Sequence, residues 1–238
     1  MKRFLFGIIK FVIKTLLIII TVTVLWVLIY RFINPPLTPL MVIGYFGEAK
    51  TIKKKWKDYD EISEYMKLAV IASEDQKFPL HDGFDIESIK DAIDEKMNGD
   101  RLRGASTISQ QTAKNVFLWP SRTWARKGAE AYFTFLIENI WSKKRILEVY
   151  LNVIETGKGI YGVDEAGEIY FGKPAGKLNE EESALIAAIL PNPAVMSAVR
   201  PSGYVRERQG WIMGQMDNLG TGYLKKIEPS RAKERAAD

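Results

Sequence analysis

The feature that most constrains this chain is an apolar run near its N-terminus. Residues Phe11 to Tyr30 are apolar except for Lys14 and three threonines. A helix of about twenty residues is about 30 Å long, which matches the hydrocarbon core of a bilayer. The sequence therefore predicts a transmembrane helix over 11–30, preceded by a short N-terminal segment over 1–10.

The charges around this run predict its orientation. Four basic residues lie towards its N-terminal side: Lys2, Arg3, Lys10 and Lys14. Only Arg31 follows it closely, so the positive-inside rule places residues 1–10 in the cytoplasm and the chain after about Asn34 outside the inner membrane, in the periplasm. A cleavable signal peptide is the alternative. The run is long for one, and Arg31-Phe-Ile-Asn-Pro-Pro offers no small-residue cleavage site, so we expect a retained single-pass anchor.

Composition excludes several classes of site. The net charge of +5 suits an anionic partner, but a domain outside the cytoplasm is not expected to meet nucleic acid. The absence of cysteine and the single histidine exclude disulfides, thiolate nucleophiles and multi-histidine metal sites. Any bound ion would have to be held by carboxylate and phosphate oxygens, which favours Mg²⁺ or Mn²⁺. No organic cofactor is predicted, because the G-x-G-x-x-G match at Gly157–Gly162 follows a helical pattern rather than a strand.

Beyond the anchor the hydrophobic pattern is helical almost throughout. A proline-rich, basic linker over 31–60 precedes a domain over 61–220, and a charged tail over 221–238 follows it. No segment has the alternation of a long strand, so the fold class is mostly α, with at most a short hairpin near Tyr45 to Tyr59.

The stretch from Glu74 to Asp85 holds four acidic side chains and the only histidine. It follows the apolar run Leu68 to Ala72, so Glu74 and Asp75 stand where a buried helix ends. A carboxylate beside apolar surface suits general acid or base chemistry. Solvated acids after a helix are the plainer interpretation of this stretch taken alone.

Two further polar blocks follow. In Gly104 to Asn115, Ser106 or Thr107 can cap a helix that gathers amides and one cation; its candidate ligands for a sugar or a phosphate are Ser106, Gln111, Lys114 and Asn115. A capped hydrophilic surface helix explains this block as well. The second block interleaves tryptophans with Arg122, Arg126 and Lys127 and ends at Glu130. It fits a membrane-interface site or an ordinary core with a solvated basic face equally well.

Taken together, these blocks resemble the family 51 glycosyltransferases, the peptidoglycan polymerases. Four motifs occur in order between about Leu68 and Trp211: Glu74-Asp-x-x-Phe-x-x-His-x-Gly-x-Asp85, Gly104-x-Ser-Thr-Ile-x-Gln-Gln-x-x-Lys-Asn115, Arg126-Lys-x-x-Glu130 and Ile146-Leu-Glu-x-Tyr-Leu-Asn152. One departure is Thr156, where an aromatic residue is expected. The resemblance implies a lysozyme-like helical domain, and a monofunctional enzyme without a transpeptidase domain.

The resemblance also implies the chemistry. The substrate would be lipid II, a disaccharide-pentapeptide on undecaprenyl diphosphate, joined into β-1,4 glycan strands for cell-wall synthesis and cell shape. Glu74 would be the general base, and Glu130 would orient a cation or assist the leaving group. Lys114, Arg122, Arg126 and Lys127 would neutralise the diphosphate, with or without a divalent cation. Asp75, Gln111 and Asn115 would contact sugar or support the site, and His81 would anchor the loop.

Two other functions remain open from the residues. A membrane-anchored muramidase could use a lone glutamate on the same fold. A non-catalytic scaffold for cell-wall synthesis or division proteins would need no polar constellation. The basic, aromatic, membrane-proximal region favours a lipid-diphosphate substrate over both.

Overall fold

The computed structural model describes residues 2–97, 106–121 and 123–227. Within these ranges the chain is mostly helical, as the sequence predicted. The α-helices are α1 (Lys2–Phe32), α2 (Pro39–Gly44), α3 (Glu64–Glu74), α4 (Ile86–Met97), α5 (Ile108–Phe117), α6 (Trp124–Ile140), α7 (Lys143–Val153), α8 (Val163–Phe171), α9 (Glu180–Ile189) and α10 (Gly203–Leu219).

Two groups of helices form the core. In one, α3 packs against α9 and α10; in the other, α5 packs against α6 and α7. Helix α3 is buried on all sides from Met66 to Ala72, which explains its continuous apolar sequence. Because α3 belongs to the first group and α5 to the second, the end of α3 faces α5 at the boundary between the groups.

The N-terminal helix is long and apolar enough to cross a membrane over Arg3–Phe32. It extends beyond the predicted 11–30 at both ends, and its first two thirds expose their side chains. Its last turns instead pack on the domain. Val27 is fully buried, and its carbonyl oxygen accepts a hydrogen bond of 2.8 Å from Trp141 Nε1. Trp26 meets Phe117, the last residue of α5, edge-on at 5.2 Å between ring centroids.

Arg145 on α7 holds the end of the anchor helix. Its guanidinium donates to Tyr30 O at 2.9 and 3.2 Å, to Ile33 O at 3.1 Å and to Asn34 Oδ1 at 2.8 Å. Glu148 pairs with the same guanidinium at 3.1 Å. The last carbonyls of a helix have no partner within the helix, so Arg145 both satisfies them and fixes the anchor to the domain.

We expect Arg145→Met to lower the melting temperature of the detergent-solubilised protein by roughly 5–10 °C, because it removes charged hydrogen bonds worth about 2–3 kcal/mol in total. Lys144→Met is the matched control. Lys144 pairs with Asp60, whose side chain is 79% exposed, and an exposed pair contributes little. Equal melting temperatures for the two variants would contradict the role given to Arg145.

The predicted hairpin near Tyr45 to Tyr59 is wrong. Tyr45–Ala49 form a π-helical turn, and only β1 (Lys53–Lys54) is extended there. It pairs in parallel with β3 (Ile160–Tyr161), which pairs antiparallel with β2 (Glu155–Gly157). A strand of two residues shows no alternation of apolar and polar side chains, and the local sequence does not reveal that its partner is β3.

Residues on both sides of the range 61–220 are also buried. In the predicted linker Met41 and Tyr59 are buried, and Lys54 Nζ donates to the carbonyls of Pro35 and Pro36. In the predicted tail, Thr221–Lys226 form a 3₁₀ helix whose Leu224 is buried. These buried side chains cover the edges of the core. The rest of the tail, 228–238, lies outside the described residues.

Candidate active site

Glu74 is the last residue of α3, and its carboxylate lies at the boundary between the two helical groups. Its Oε2 accepts a hydrogen bond of 2.8 Å from Gln111 Nε2 on α5. Its Oε1 accepts a long hydrogen bond of 3.4 Å from Ser73 Oγ and lies 3.7 Å from Arg208 Nη2 on α10. One oxygen is therefore held in place and the other remains accessible to a ligand.

A buried tyrosine fixes the orientation of the Gln111 amide. Tyr150 on α7 is fully buried, and its hydroxyl donates to Gln111 Oε1 at 3.2 Å. The amide oxygen is thus used by Tyr150, and the amide nitrogen must face Glu74. Burial, with the nearby negative charges of Glu74 and Asp75, raises the pKa of Tyr150 well above its ordinary value. Tyr150 consequently stays a neutral donor, and Gln111 acts as a positioning residue.

Asp75 ties three segments together. Its carboxylate accepts from His81 Nε2 at 3.0 Å and from the backbone N–H of Ile108 at 3.0 Å, at the start of α5. His81 Nδ1 in turn accepts from Gly83 N at 3.1 Å. With its side chain 3% exposed, Asp75 supports the site rather than offering a free face to a sugar. His81 anchors the loop, as the sequence indicated.

The loop after His81 needs a glycine at position 83. Gly83 has φ +90°, and a Cβ there would lie 2.8 Å from side-chain atoms of Thr134 and Glu138. Its carbonyl accepts a 2.7 Å hydrogen bond from the hydroxyl of Thr107, which caps α5 in a capping box with Gln110. The loop and the N-terminus of α5 are therefore held as one unit.

Two clefts open beside these residues. The first, of about 250 Å³, contains Glu74, Gln76, Ser106 and Trp211 in its lining. The second, of about 450 Å³, contains Gln111, Lys114, Asn115 and Arg126, with Leu40 and Trp119 at its apolar side. Because Glu74 and Gln111 are hydrogen-bonded to each other, the two clefts meet at this pair.

Glu130 lies beneath the second cleft, with its side chain 3% exposed. Arg126 Nη1 pairs with it at 2.5 Å, and Lys127 Nζ pairs with its other oxygen. Arg126 Nε is buried and finds no hydrogen-bond partner among the described residues, an arrangement that favours a bound ligand or water. Glu130 is thus an orienting group for two cations.

Lys114 completes the charge cluster. Burial lowers the pKa of Lys114, the positive charges of Arg126 and Lys127 lower it further, and the carboxylates of Glu130 and Glu74 oppose this. Within the described part of the chain its ammonium has no hydrogen-bonded partner. Three cations around one carboxylate leave two positive charges uncompensated, which suits a dianionic ligand such as a diphosphate.

The structure brings most of the predicted site residues to these two clefts. Ser106 is exposed at the first cleft, while Asn115 is buried and lines the second. Arg122 lies outside the described residues. No three acidic or histidine side chains converge on a metal position within 2–97, 106–121 and 123–227, and the carboxylates of Asp75 and Glu130 already have partners.

Sequence reasoning missed the contribution of α10. Arg208 and Trp211 belong to none of the candidate blocks found in the sequence, yet Arg208 approaches Glu74 and Trp211 lines the first cleft. Their spacing of three residues put them on one helical face. Nothing in the local pattern distinguished that face from any other polar face of an amphipathic helix.

Comparison with known proteins gives a consistent result. A sequence model of the family described as Transglycosylase matches residues 41–217. A biosynthetic peptidoglycan transglycosylase of Mannheimia succiniciproducens is 49% identical over 219 residues, covering 87% of this chain and 88% of that protein. Proteins of the same name from Pseudomonas fluorescens and Chromohalobacter salexigens are 47% and 46% identical, covering 97% and 92% of this chain and 98% and 96% of those proteins.

Proposed function

The chain belongs to the transglycosylase family and is a peptidoglycan glycosyltransferase, and we propose that it polymerises lipid II with Glu74 as its general base. The observation that carries this proposal is the junction of the two clefts. A carboxylate with one free oxygen lies on one side of Gln111, and a cationic cluster lies on the other. The acceptor hydroxyl needs a base on one side of the anomeric carbon, and the departing diphosphate needs cations on the other side.

The acceptor occupies the first cleft in this mechanism. Glu74 Oε1 takes the proton from the acceptor's 4-hydroxyl as that oxygen attacks the donor's anomeric carbon. Oε2 stays hydrogen-bonded to Gln111, so the free lone pair is aimed by Gln111 and Tyr150. The α-linked diphosphate departs from the opposite face and a β-1,4 bond forms. One inverting displacement is sufficient, without a covalent glycosyl-enzyme.

The donor diphosphate occupies the second cleft. As the bond from carbon to phosphate oxygen breaks, the leaving diphosphate keeps the electron pair and gains negative charge. Lys114 and Arg126 stabilise this charge, with Arg122 as a further candidate, and Glu130 holds Arg126 and Lys127 in position. A divalent cation bound through the phosphate oxygens would supply additional positive charge there.

The anchor supports a lipid-linked substrate. Leu40, eight residues after the end of α1, lines the second cleft, so that cleft opens beside the membrane-proximal segment. Trp124, which lies close in sequence to Arg126 of the same cleft, is 91% exposed, as suits a residue at head-group depth. A cleaved leader would not be buried in the mature core as Val27 is. The basic residues on the N-terminal side of α1 support an orientation with the N-terminus in the cytoplasm and the domain on the outer side of the inner membrane.

The decisive assay incubates detergent-purified full-length protein with labelled lipid II, with and without Mg²⁺, and resolves the products by size. A ladder of lengthening glycan is the expected result, and a muramidase should then reduce it to disaccharide units. No ladder from folded protein, or shortening of added glycan, would overturn the proposal in favour of a scaffold or a lytic enzyme.

A further inference from the structure

A short segment after the anchor, residues 37–46, carries an apolar face that the domain leaves exposed. Four large side chains on it are 38–76% exposed: Leu37, Val42, Ile43 and Phe46. The ring of Tyr45 meets that of Phe46 edge-on, with 5.4 Å between the centroids. The sequence has no charged residue from Phe32 to Gly47, so no charge interrupts this face. A contiguous apolar surface of this kind marks a contact with a membrane or with another protein.

The opposite face of the same segment is fixed to the domain. Thr38 is buried and caps α2 by accepting a hydrogen bond of 3.3 Å from Met41 N, and the side chain of Met41 is fully buried. Helix α2 packs against α5, and Leu40 lines the second cleft. At the end of α2 a Cβ on Gly44 would lie 2.8 Å from the hydroxyl of Tyr161, so the helix ends in close contact with β3. The exposed face therefore belongs to an element with a fixed position on the domain.

Contacts with the anchor place this element beside the apolar helix α1. Trp26 and Tyr30 lie in the C-terminal part of the predicted transmembrane helix. Both pack on Phe117, the last residue of α5, with 5.2 and 6.0 Å between ring centroids. The next residue, Leu118, lines the second cleft together with Leu40 of α2. Helix α2 is thus held, through the end of α5, beside the C-terminal turns of α1.

Basic residues follow directly after the apolar face. Lys50 and Lys53 are exposed. Lys54 donates to the carbonyls of Pro35 and Pro36, which brings this run of lysines back to the end of the anchor. An apolar face bordered by lysines is typical of segments at a membrane interface, because the apolar side chains enter the acyl region while the cations remain near the phosphates. This border favours a lipid surface over a protein partner.

We propose that residues 37–46 form a second membrane contact, in which the exposed face of α2 and of the turn after it lies in the outer leaflet. An interfacial element of this kind buries its apolar face about 5–10 Å into the boundary between head groups and acyl chains. The proposal rests on the proposed membrane-spanning role of α1, and it is independent of the catalytic role of Glu74. Since Leu40 lines the second cleft from the inner side of the same helix, that cleft opens at the level of the lipid.

The absence of cysteine from the sequence allows a direct test of depth. Four full-length variants are made, Ile43→Cys, Phe46→Cys, Ile19→Cys and Asp217→Cys, and each is labelled with an environment-sensitive fluorophore. The proteins are reconstituted into vesicles of phosphatidylethanolamine and phosphatidylglycerol that carry a nitroxide either near the head group or at the end of the acyl chain. Ile19 lies in the middle of the predicted transmembrane helix and is the deep control. Asp217 is exposed in the last turn of α10, which packs on α3 and α9, whereas the anchor packs on α6; it is the aqueous control.

The label at positions 43 and 46 should have blue-shifted emission relative to the label at position 217. It should be quenched more strongly by the nitroxide near the head group than by the one at the end of the acyl chain. The label at position 19 should show the reverse order. The label at position 217 should escape both nitroxides and be quenched by iodide in the aqueous phase.

Two results would overturn the inference alone. Quenching of positions 43 and 46 by iodide, with no loss to either nitroxide, places the face in water. A blue shift without quenching by the nitroxides or by iodide means that protein, such as a second copy of this chain, covers the face.

The controls separate this inference from the proposals on which the enzyme's function rests. If position 19 also escapes the nitroxides, α1 does not span the membrane, and the anchor and this inference fail together. The glycan ladder is measured with the same reconstituted proteins. Nitroxide quenching at positions 43 and 46 without a ladder from wild type would support the membrane contact and overturn the proposed polymerisation.

Discussion

Glu74→Gln is expected to lower kcat for glycan polymerisation by about 10²–10⁴-fold, the usual contribution of a general base. The amide keeps the size of the side chain, and its oxygen can still accept from Gln111 Nε2, so the arrangement on α5 should persist. What it loses is the ability to take a proton at Oε1. Initial rates with labelled lipid II, measured beside the melting temperature, separate lost chemistry from lost folding.

The matched control for this variant is Glu64→Gln. Glu64 is exposed in the first turn of the same helix, α3, and the same change there should leave the rate within about twofold of wild type. Retention of more than a few per cent of activity by folded Glu74→Gln would rule out Glu74 as the base. Another group would then have to receive the proton.

Lys114→Ala is expected to reduce kcat by about 10²–10³-fold, because a preorganised cation beside a leaving group is worth several kcal/mol in the transition state. KM for the acceptor should change little, since Lys114 lines the second cleft and not the first. Lys177→Ala, at an exposed lysine of the same domain, is the control. A raised KM with unchanged kcat would mean that Lys114 only binds substrate.

The lowered pKa of Lys114 predicts that kcat/KM depends on pH in a way that identifies this residue. Burial makes its ammonium lose a proton at lower pH than an ordinary lysine, so kcat/KM should fall on the alkaline side as the charge is lost. Lys114→Arg keeps its charge at any accessible pH. The alkaline decline should therefore shift to higher pH in that variant, even if its maximal rate is lower.

Much of the fold followed from residues with strong local signals. The helix that ends at Glu74 was marked by the apolar run before it, and α5 by its candidate cap at Ser106 or Thr107, of which the structure uses Thr107. Such signals depend on neighbouring residues alone. The long apolar helix at the N-terminus was equally clear, since length and hydropathy suffice to predict it.

Long-range pairing set the limit of that reasoning. The two residues of β1 are a strand only because Ile160 and Tyr161 lie beside them. Similarly, Gln111 could be assigned to the site from its motif, but its orientation depends on Tyr150, and the approach of Arg208 depends on how α10 packs. Contacts between distant segments produce no periodic hydrophobic pattern in the local sequence.

The hydrogen bonds that hold the end of α1 to the domain affect how the enzyme meets its substrate. A flexible tether would let the domain rotate and lift, and its effective concentration near the bilayer would then depend on tether length. Trp141 instead bonds to the carbonyl of Val27, and Arg145 bonds to the carbonyl of Tyr30 in the last turn of α1. If α1 spans the membrane, as we propose, these bonds keep the second cleft at a fixed distance from the bilayer, and a lipid-linked donor would reach it by lateral diffusion.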